Sequence, residues 1–383
     1  MIINLKSPKL VLFACCAITA VLGVEFSGFQ LALLSSVNEL GFDSKMIGLP
    51  VTAQFISLCI MPLIFGPLSD RIGKKKIIVI FMVVFFLGCI ITWLSGTAAI
   101  YLVGVFIIGA GYSVCECSTT AVISDVFPEN EEKLINFMGS FYCVGAVASP
   151  LALQWLMDHF SASWRVIFLI SAIITAAVLP FLLLSHITPR QFKHDPKPGK
   201  TKLGHPFLIL GFILCMFLYV GIESCLGFFA DTVLSVELSS PTLGAFAISF
   251  FWAAMGIGRI FFGRAKNIPR NASAFSLFCI AAIVVIITFV KQEYLMLGIF
   301  ALAGLACSCV WPGIINATFA LNRGATGTLM SIIYLGAGLG GVIVPFTNGV
   351  IMNAAGMSVS FLIMAILPAI AGFYMWRYGG RTL

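Results

Sequence analysis

The sequence predicts an all-α membrane protein whose twelve spanning helices form two pseudo-symmetric six-helix bundles. Three observations predict it. Hydrophobic residues make up 60% of the 383 and charged residues only 10%, where a soluble domain carries about 25% charged residues. Apolar runs long enough to cross a bilayer, about 20 residues each, occur twelve times. The second half of the chain echoes the first at an offset near 195 residues.

The runs lie at 9–35, 45–67, 76–96, 99–126, 134–157, 164–186, 206–234, 242–263, 272–290, 294–320, 326–352 and 357–378. Too few apolar residues precede Cys15 to make a cleaved signal core, so the first run reads as a retained helix. The second and third are joined by a short basic loop, Gly66-Pro-Leu-Ser-Asp70-Arg71-Ile-Gly73-Lys74-Lys75-Lys76, in which two glycines permit a sharp turn. The fourth ends at Asp125 and the acidic run Pro128-Glu129-Asn-Glu131-Glu132-Lys133. A polar stretch with three prolines, 187–205, reads as a flexible linker. It divides the chain into an N-terminal unit, 1–186, and a C-terminal unit, 206–383. Pro312 stands at mid-depth in the tenth run and is expected to break that helix.

The echoes between halves are specific. Gly23-Val-Glu25 in the first helix matches Gly221-Ile-Glu223 in the seventh. Gly104-Val-Phe with Cys115 matches Gly298-Ile-Phe with Cys309, and Tyr142 with Gly145 and Pro150 matches Tyr334 with Gly338 and Pro345. Such repeats belong to transporters built from two related halves.

Nineteen of the 22 lysines and arginines fall on the side that holds both chain ends, leaving Lys45, Arg165 and Lys291 on the other. The positive-inside rule therefore predicts cytoplasmic termini, as in a bacterial inner-membrane protein. The net charge of +7 is then an orientation signal, and no nucleic-acid partner is expected. The twelve cysteines lie mostly in apolar runs, where cysteine acts as a small hydrophobe. The C-x-C pairs Cys115/Cys117 and Cys307/Cys309 point to opposite sides of a helix, so no metal site is expected. No nucleotide loop, metal triad or nucleophile–base pair is present, so no catalytic residue and no enzyme are expected. The expected partners are the lipid bilayer and a small-molecule substrate, the protein working as a monomer without a cofactor beyond a coupling proton.

Three carboxylates, Glu25, Glu116 and Glu223, lie deep in apolar runs. A charged side chain there costs about 2.5–3.5 kcal/mol even on the insertion scale. No lysine or arginine is expected at that depth, since Arg259 reads as a residue near the cytoplasmic end of the eighth helix that snorkels outward. Each carboxylate must then face water or take up a proton, as a proton carrier does. The polar and aromatic residues expected to face a substrate are Gln30, Gln54, Asn136, Tyr142, Gln154, Glu223, Trp311, Asn316, Tyr334 and Asn348. With no buried cation to receive an anion, that set suits neutral polyhydroxy molecules or cations.

The G-x-x-x-D-R-x-G-K-K spacing at Gly66–Lys75 resembles the loop between the second and third helices of the major facilitator superfamily, and Pro128-Glu129 to Lys133 loosely resembles its acidic loop. Gly109-Ala-Gly111-Tyr-Ser-Val-Cys115-Glu116 and Phe217-Leu-Tyr219-Val-Gly221-Ile-Glu223 resemble the fourth and seventh helices of its fucose permease branch, the sugar–proton symporters. That branch has an acidic residue in helix 1, an aspartate where this chain has Glu25. The resemblance implies alternating access, proton coupling through Glu25 and Glu116, and gating through Gly66, Asp70, Arg71, Gly73, Lys74, Glu129 and Lys133. Asp70 is expected to face the start of the eleventh helix. The combined expectation is secondary active uptake of a neutral sugar-like molecule with a proton. The rival is a proton-driven multidrug exporter, disfavoured because helix 4 has no arginine and helix 5 lacks the G-P-x-x-G-G core. A membrane receptor is disfavoured by the lack of a soluble domain.

Overall fold

The computed structural model describes residues 8–43, 46–127, 129–185, 205–264, 271–321 and 326–379. It holds twelve helices long and apolar enough to cross a membrane. In lipid the backbone must satisfy its own hydrogen bonds, and a helix does so within one segment. The first six are α1 (Pro8–Glu39), α2 (Leu49–Ile72), α3 (Lys74–Trp93), α4 (Ala98–Val126), α5 (Glu131–Phe160) and α6 (Val166–Leu184). The second six are α7 (Pro206–Phe228), α8 (Gly244–Arg264), α9 (Ala272–Phe289), α10 (Glu293–Cys307, resumed over Val310–Leu321), α11 (Thr326–Ala355) and α12 (Met357–Met364, resumed over Ile366–Tyr374). The linker expected at 187–205 lies outside the described residues except for His205, which precedes α7.

Local chemistry sets the helix ends. Thr97 accepts a hydrogen bond from the Ile100 amide at the start of α4, and Gln292 accepts one from Leu295 at the start of α10, each satisfying an amide with no intrahelical partner. Gly73 separates α2 from α3 with φ +99°, a conformation that favours glycine. The break in α10 falls at Ser308–Cys309, one turn before Pro312 and not at it. The ring of a proline clashes with the carbonyl four residues earlier, here Ser308, so the helix opens there.

The two bundles repeat one packing scheme. α1 packs on α5, α2 on α4 and α3 on α6 in the first, as α7 packs on α11, α8 on α10 and α9 on α12 in the second. Glycines bring the paired backbones together. A Cβ on Gly23 would overlap the Tyr142 carbonyl oxygen, and one on Gly145 the Ala20 carbonyl oxygen. In the second bundle a Cβ on Gly340 would overlap the Phe217 carbonyl oxygen, while Gly221 lies against Val344.

The bundles meet along α2–α11 and α5–α8. Close contacts lie on the side away from the chain ends. There Gly48 abuts the Pro345–Phe346 backbone, Thr52 donates to the Val342 carbonyl and Ser249 to the Val147 carbonyl. Under them lies a lid of rings: Phe26 touches Phe55, Tyr112, Tyr142, Phe228 and Trp252, with centroids 5.4–6.4 Å apart. The Trp252 Nε1–H donates to Gln30 Oε1 across the two bundles at 2.9 Å. The far side is closed.

Candidate functional site: a carboxylate and tyrosine cluster between the bundles

Beneath the lid, α4, α5, α7, α8, α10 and α11 bring titratable side chains together. Tyr112 of α4 and Tyr142 of α5 share a hydroxyl–hydroxyl hydrogen bond of 3.2 Å. Glu116, one turn on from Tyr112, interacts electrostatically with Arg259 of α8 and with Glu223 of α7. All three sit deep between the bundles yet keep some accessible surface, as groups lining an internal space do. Glu116 also acts on the hydroxyls of Tyr112, Tyr142 and Tyr334. Tyr334 of α11 lies beside the Cys117 thiol and packs edge-on against Trp311 of α10, with centroids 5.7 Å apart. On α7, the Tyr219 hydroxyl lies 2.8 Å from Glu223 Oε1 and 3.1 Å from the carbonyl oxygen of Cys307, at the break in α10.

Arg259 is the main correction to the sequence reading. It does not snorkel to the membrane face. One of its guanidinium nitrogens lies 3.9 Å from the position a Cβ would take on Gly139 of α5, and its charge acts on Glu223, Tyr142 and Tyr219. The glycine leaves room for the guanidinium between α5 and α8. The interior therefore holds a cation, contrary to expectation.

Glu25 occupies a different place. It is fully buried at 0% exposure inside the first bundle, where Gln54 Nε2 of α2 donates to both its oxygens at 3.1 and 3.2 Å. Tyr112 is close enough to feel the charges of both Glu25 and Glu116, so it stands between the buried carboxylate and the shared cluster.

Other expected residues scatter. Gln30 is in the lid, and Tyr142, Trp311 and Tyr334 are in or beside the cluster. Gln154 is not brought to it: it lies near the far end of α5 and donates to Asp158 one turn on. Asn348 is turned into the second bundle, where its Oδ1 accepts from Ser360 of α12 at 2.6 Å. Asn316 is exposed on the second segment of α10. The side chains of Asn136, Asp70 and Arg71 lie outside the described residues, as does Arg323 just before α11. In the loop, Lys74 pairs with Asp125 at 2.5 Å and Lys75 donates to the Leu183 and Ser185 carbonyls, so the start of α3 is tied to the ends of α4 and α6. Glu129 and Lys133 are exposed, and the space around Gly66 is open. Tyr112, Tyr219, Arg259 and Trp252 were not among the expected site residues. The only sequence signal for the tyrosines is helical spacing, Tyr112 to Glu116 and Tyr219 to Glu223, four residues apart on one face.

The sequence matches the Major Facilitator Superfamily over residues 13–290 and again over 212–382. The chain belongs to this superfamily. Its members and neighbours are transporters, not enzymes. Among curated relatives, the glucose/galactose transporter of Brucella abortus biovar 1 (strain 9-941) is 25% identical over 366 residues, covering 89% of this chain and 87% of that protein. The multidrug resistance protein MdtM of Salmonella typhimurium is 28% identical over 159 residues, 41% of this chain and 38% of that protein. Among solved structures, the Escherichia coli fucose:proton symporter FucP superposes with a TM-score of 0.71 at 19% identity, covering 96% of this chain and 98% of that one. The nucleoside transporter NupG gives 0.74 at 14% identity over 96% and 100%. At such identities the structures establish a shared fold, which is the fold expected from the sequence.

Proposed function

We propose that this superfamily transporter is a proton-coupled symporter that takes up a neutral, sugar-like molecule by alternating access. One observation carries the proposal: two carboxylates, Glu116 and Glu223, share the field of one guanidinium, Arg259. With both ionised, the cluster holds one net negative charge, which is costly to carry through a bilayer centre. One proton cancels it. A carrier so built moves readily when loaded with a proton and a neutral substrate. Glu116 faces the shared space and is assigned the coupling proton. Glu25, behind Tyr112, is the second coupling residue. Tyr142, Trp311, Tyr334 and Gln30 offer ring faces and hydrogen bonds of the kind a polyhydroxy ligand uses. The similarity to a glucose/galactose transporter along most of the chain points the same way. The units 1–186 and 206–383 rock about the cluster, with 187–205 as the connection. The chain ends and the basic loop are placed in the cytoplasm, which makes the closed side the outer one and the membrane a bacterial inner membrane.

A second possibility is export of amphipathic or cationic compounds, favoured by the partial match to a multidrug resistance protein and by the ring-rich lid. Uptake into proteoliposomes separates them. An inward proton gradient should drive accumulation of a neutral sugar, and extrusion of a cationic dye would favour export. Moving one charge inward gains about 2.3 kcal/mol per 100 mV, and each tenfold gradient costs about 1.4 kcal/mol. A membrane potential of that size thus sustains somewhat more than a tenfold gradient. Glu116→Gln removes the excess charge without a proton. It is expected to keep substrate counterflow and lose gradient-driven accumulation; full accumulation would take Glu116 out of the proton path.

A further inference from the structure

We infer that the second bundle has its own proton-binding site, at Glu223, occupied in this conformation, and that the bound proton fastens α7 to the break in α10 through Tyr219. One hydroxyl has two neighbours. Tyr219 Oη is 2.8 Å from Glu223 Oε1 and 3.1 Å from the Cys307 carbonyl oxygen. The carbonyl can only accept. An ionised carboxylate can also only accept, and a phenol has one proton to give. With Glu223 ionised, one of the two acceptors goes short. The charged carboxylate draws the phenol proton, and Cys307, like Tyr219, is fully buried at 0% exposure, so bulk water does not reach the carbonyl left behind, and an unmade bond in such a place costs the desolvation of the abandoned group. With a proton on Glu223, the chain closes: Glu223 O–H donates to Tyr219 Oη, and Tyr219 O–H donates to the Cys307 carbonyl.

Cys307 is the last residue of the first segment of α10, and the final carbonyls of a helix lack intrahelical partners. The break forced by Pro312 thus supplies an acceptor that an unbroken helix would have used itself. The charged and titratable groups facing Glu223 fit the same state. They are Tyr219 on its own helix, Glu116 from α4, Tyr142 and Cys143 from α5, Arg259 from α8 and Cys307 from α10. With Glu223 protonated, Glu116 and Arg259 are left as equal and opposite charges, so the one proton that neutralises the cluster rests on Glu223 in this conformation and reaches it by way of Glu116, the residue assigned to take it up. Loss of the proton draws the Tyr219 proton to the charged carboxylate, frees the Cys307 carbonyl and loosens α7 from α10. The role of this event in transport rests on the proton-coupled function proposed above; the existence of the site does not.

The test is infrared difference spectroscopy of the purified full-length protein in lipid, titrated across neutral pH without substrate. The wild type is expected to show the carbonyl stretch of a protonated carboxylic acid at neutral pH. Glu223→Gln should lose the component that belongs to Glu223, leaving that of the buried Glu25 in place. Tyr219→Phe should move the Glu223 component to higher frequency, because the acid loses its acceptor. A band that survives whole in Glu223→Gln overturns the site, and a band unmoved by Tyr219→Phe overturns the connection to α10. If Glu223→Gln fails to fold, Tyr219→Phe, which removes a single atom, still decides between a shifted and an unshifted band. Because no substrate is present, failure of sugar uptake leaves this result standing, and failure here leaves Glu116 coupling to be judged by uptake alone.

Discussion

Glu25 and Glu223 stand at matching places in the two bundles and live in different surroundings. The glycine two residues before each does comparable work: Gly23 brings α1 against α5, and Gly221 brings α7 against α11. The carboxylates diverge. Glu25 is fully buried and held by Gln54 from a neighbouring helix of its own bundle. Glu223 is held by a tyrosine on its own helix, keeps part of its surface, and faces a guanidinium and the other bundle. Duplication preserved the backbone seam, where only glycine fits, and left the polar partner free to change. The packing is therefore symmetric while the chemistry is not.

The comparison breaks most sharply at Arg259, the cation that Glu223 has and Glu25 lacks. Arg259→Gln leaves two carboxylates facing each other without it, and breaking a buried pair costs about 3–5 kcal/mol. A large fall in thermal stability in detergent is expected, recovered in part when Glu116→Gln is added. Equal stability of the single and double variants would dissolve the charge cluster.

Asp231, just past α7, is a carboxylate peculiar to the second half, where Leu33 holds the corresponding place. Burial pushes its carboxyl up from 3.8 to about 6, and the Ser235 hydroxyl pulls the other way. The folded protein then binds more protons than the unfolded chain between those values, so stability falls as pH rises from about 4 to about 6. The loss is on the order of 3 kcal/mol at about 1.4 kcal/mol per unit. Asp231→Asn should abolish that slope and melt higher than wild type at pH 7. A parallel slope in the variant would assign the pH dependence elsewhere.

The glycine seams test the symmetric side. Overpacking costs about 1–3 kcal/mol. Gly23→Ala should cost more than Gly221→Ala, because the first pushes on the Tyr142 backbone and the second first meets the Val344 side chain. Melting temperatures in the reverse order would show that the α7–α11 seam is the stiffer. The smallest effect is expected at Glu25→Gln, which keeps the shape against Gln54. Apparent affinity and uptake rate should both fall several-fold, about 1 kcal/mol, as measured by initial rates. If neither changes, the Glu25–Gln54 pair is packing alone.

The fold was legible because a membrane span writes itself as a long apolar run, and the repeat was legible because glycine is hard to replace where backbones touch. Glu25, Glu116 and Glu223 were legible because a charge in such a run is costly. Arg259 was not. It lies five residues before the end of α8, roughly 7.5 Å along a helix, which reads as the membrane face. Only the packing of α5 against α8, with room left at Gly139, turns it inward. The amides misled for a related reason. Gln154 and Asn348 have the right chemistry, but Gln154 sits near the far end of α5 beside Asp158 and the rotation of α11 aims Asn348 at Ser360, and both are set by tertiary contacts. Tyr112 and Tyr219 were overlooked since a tyrosine in an apolar helix looks like bulk until its hydroxyl is placed.

The lid has a consequence for how this carrier answers its surroundings. It is made of ring edges, each pair worth about 0.5–1.5 kcal/mol, and one neutral hydrogen bond from Trp252 to Gln30. Two ion pairs among the described residues on that side, Arg165–Glu39 and Lys291–Glu237, each stay within one bundle. Parting the rings would separate no charge between those pairs, and salt, which acts on exposed charges through screening, has little hold on the ring contacts themselves.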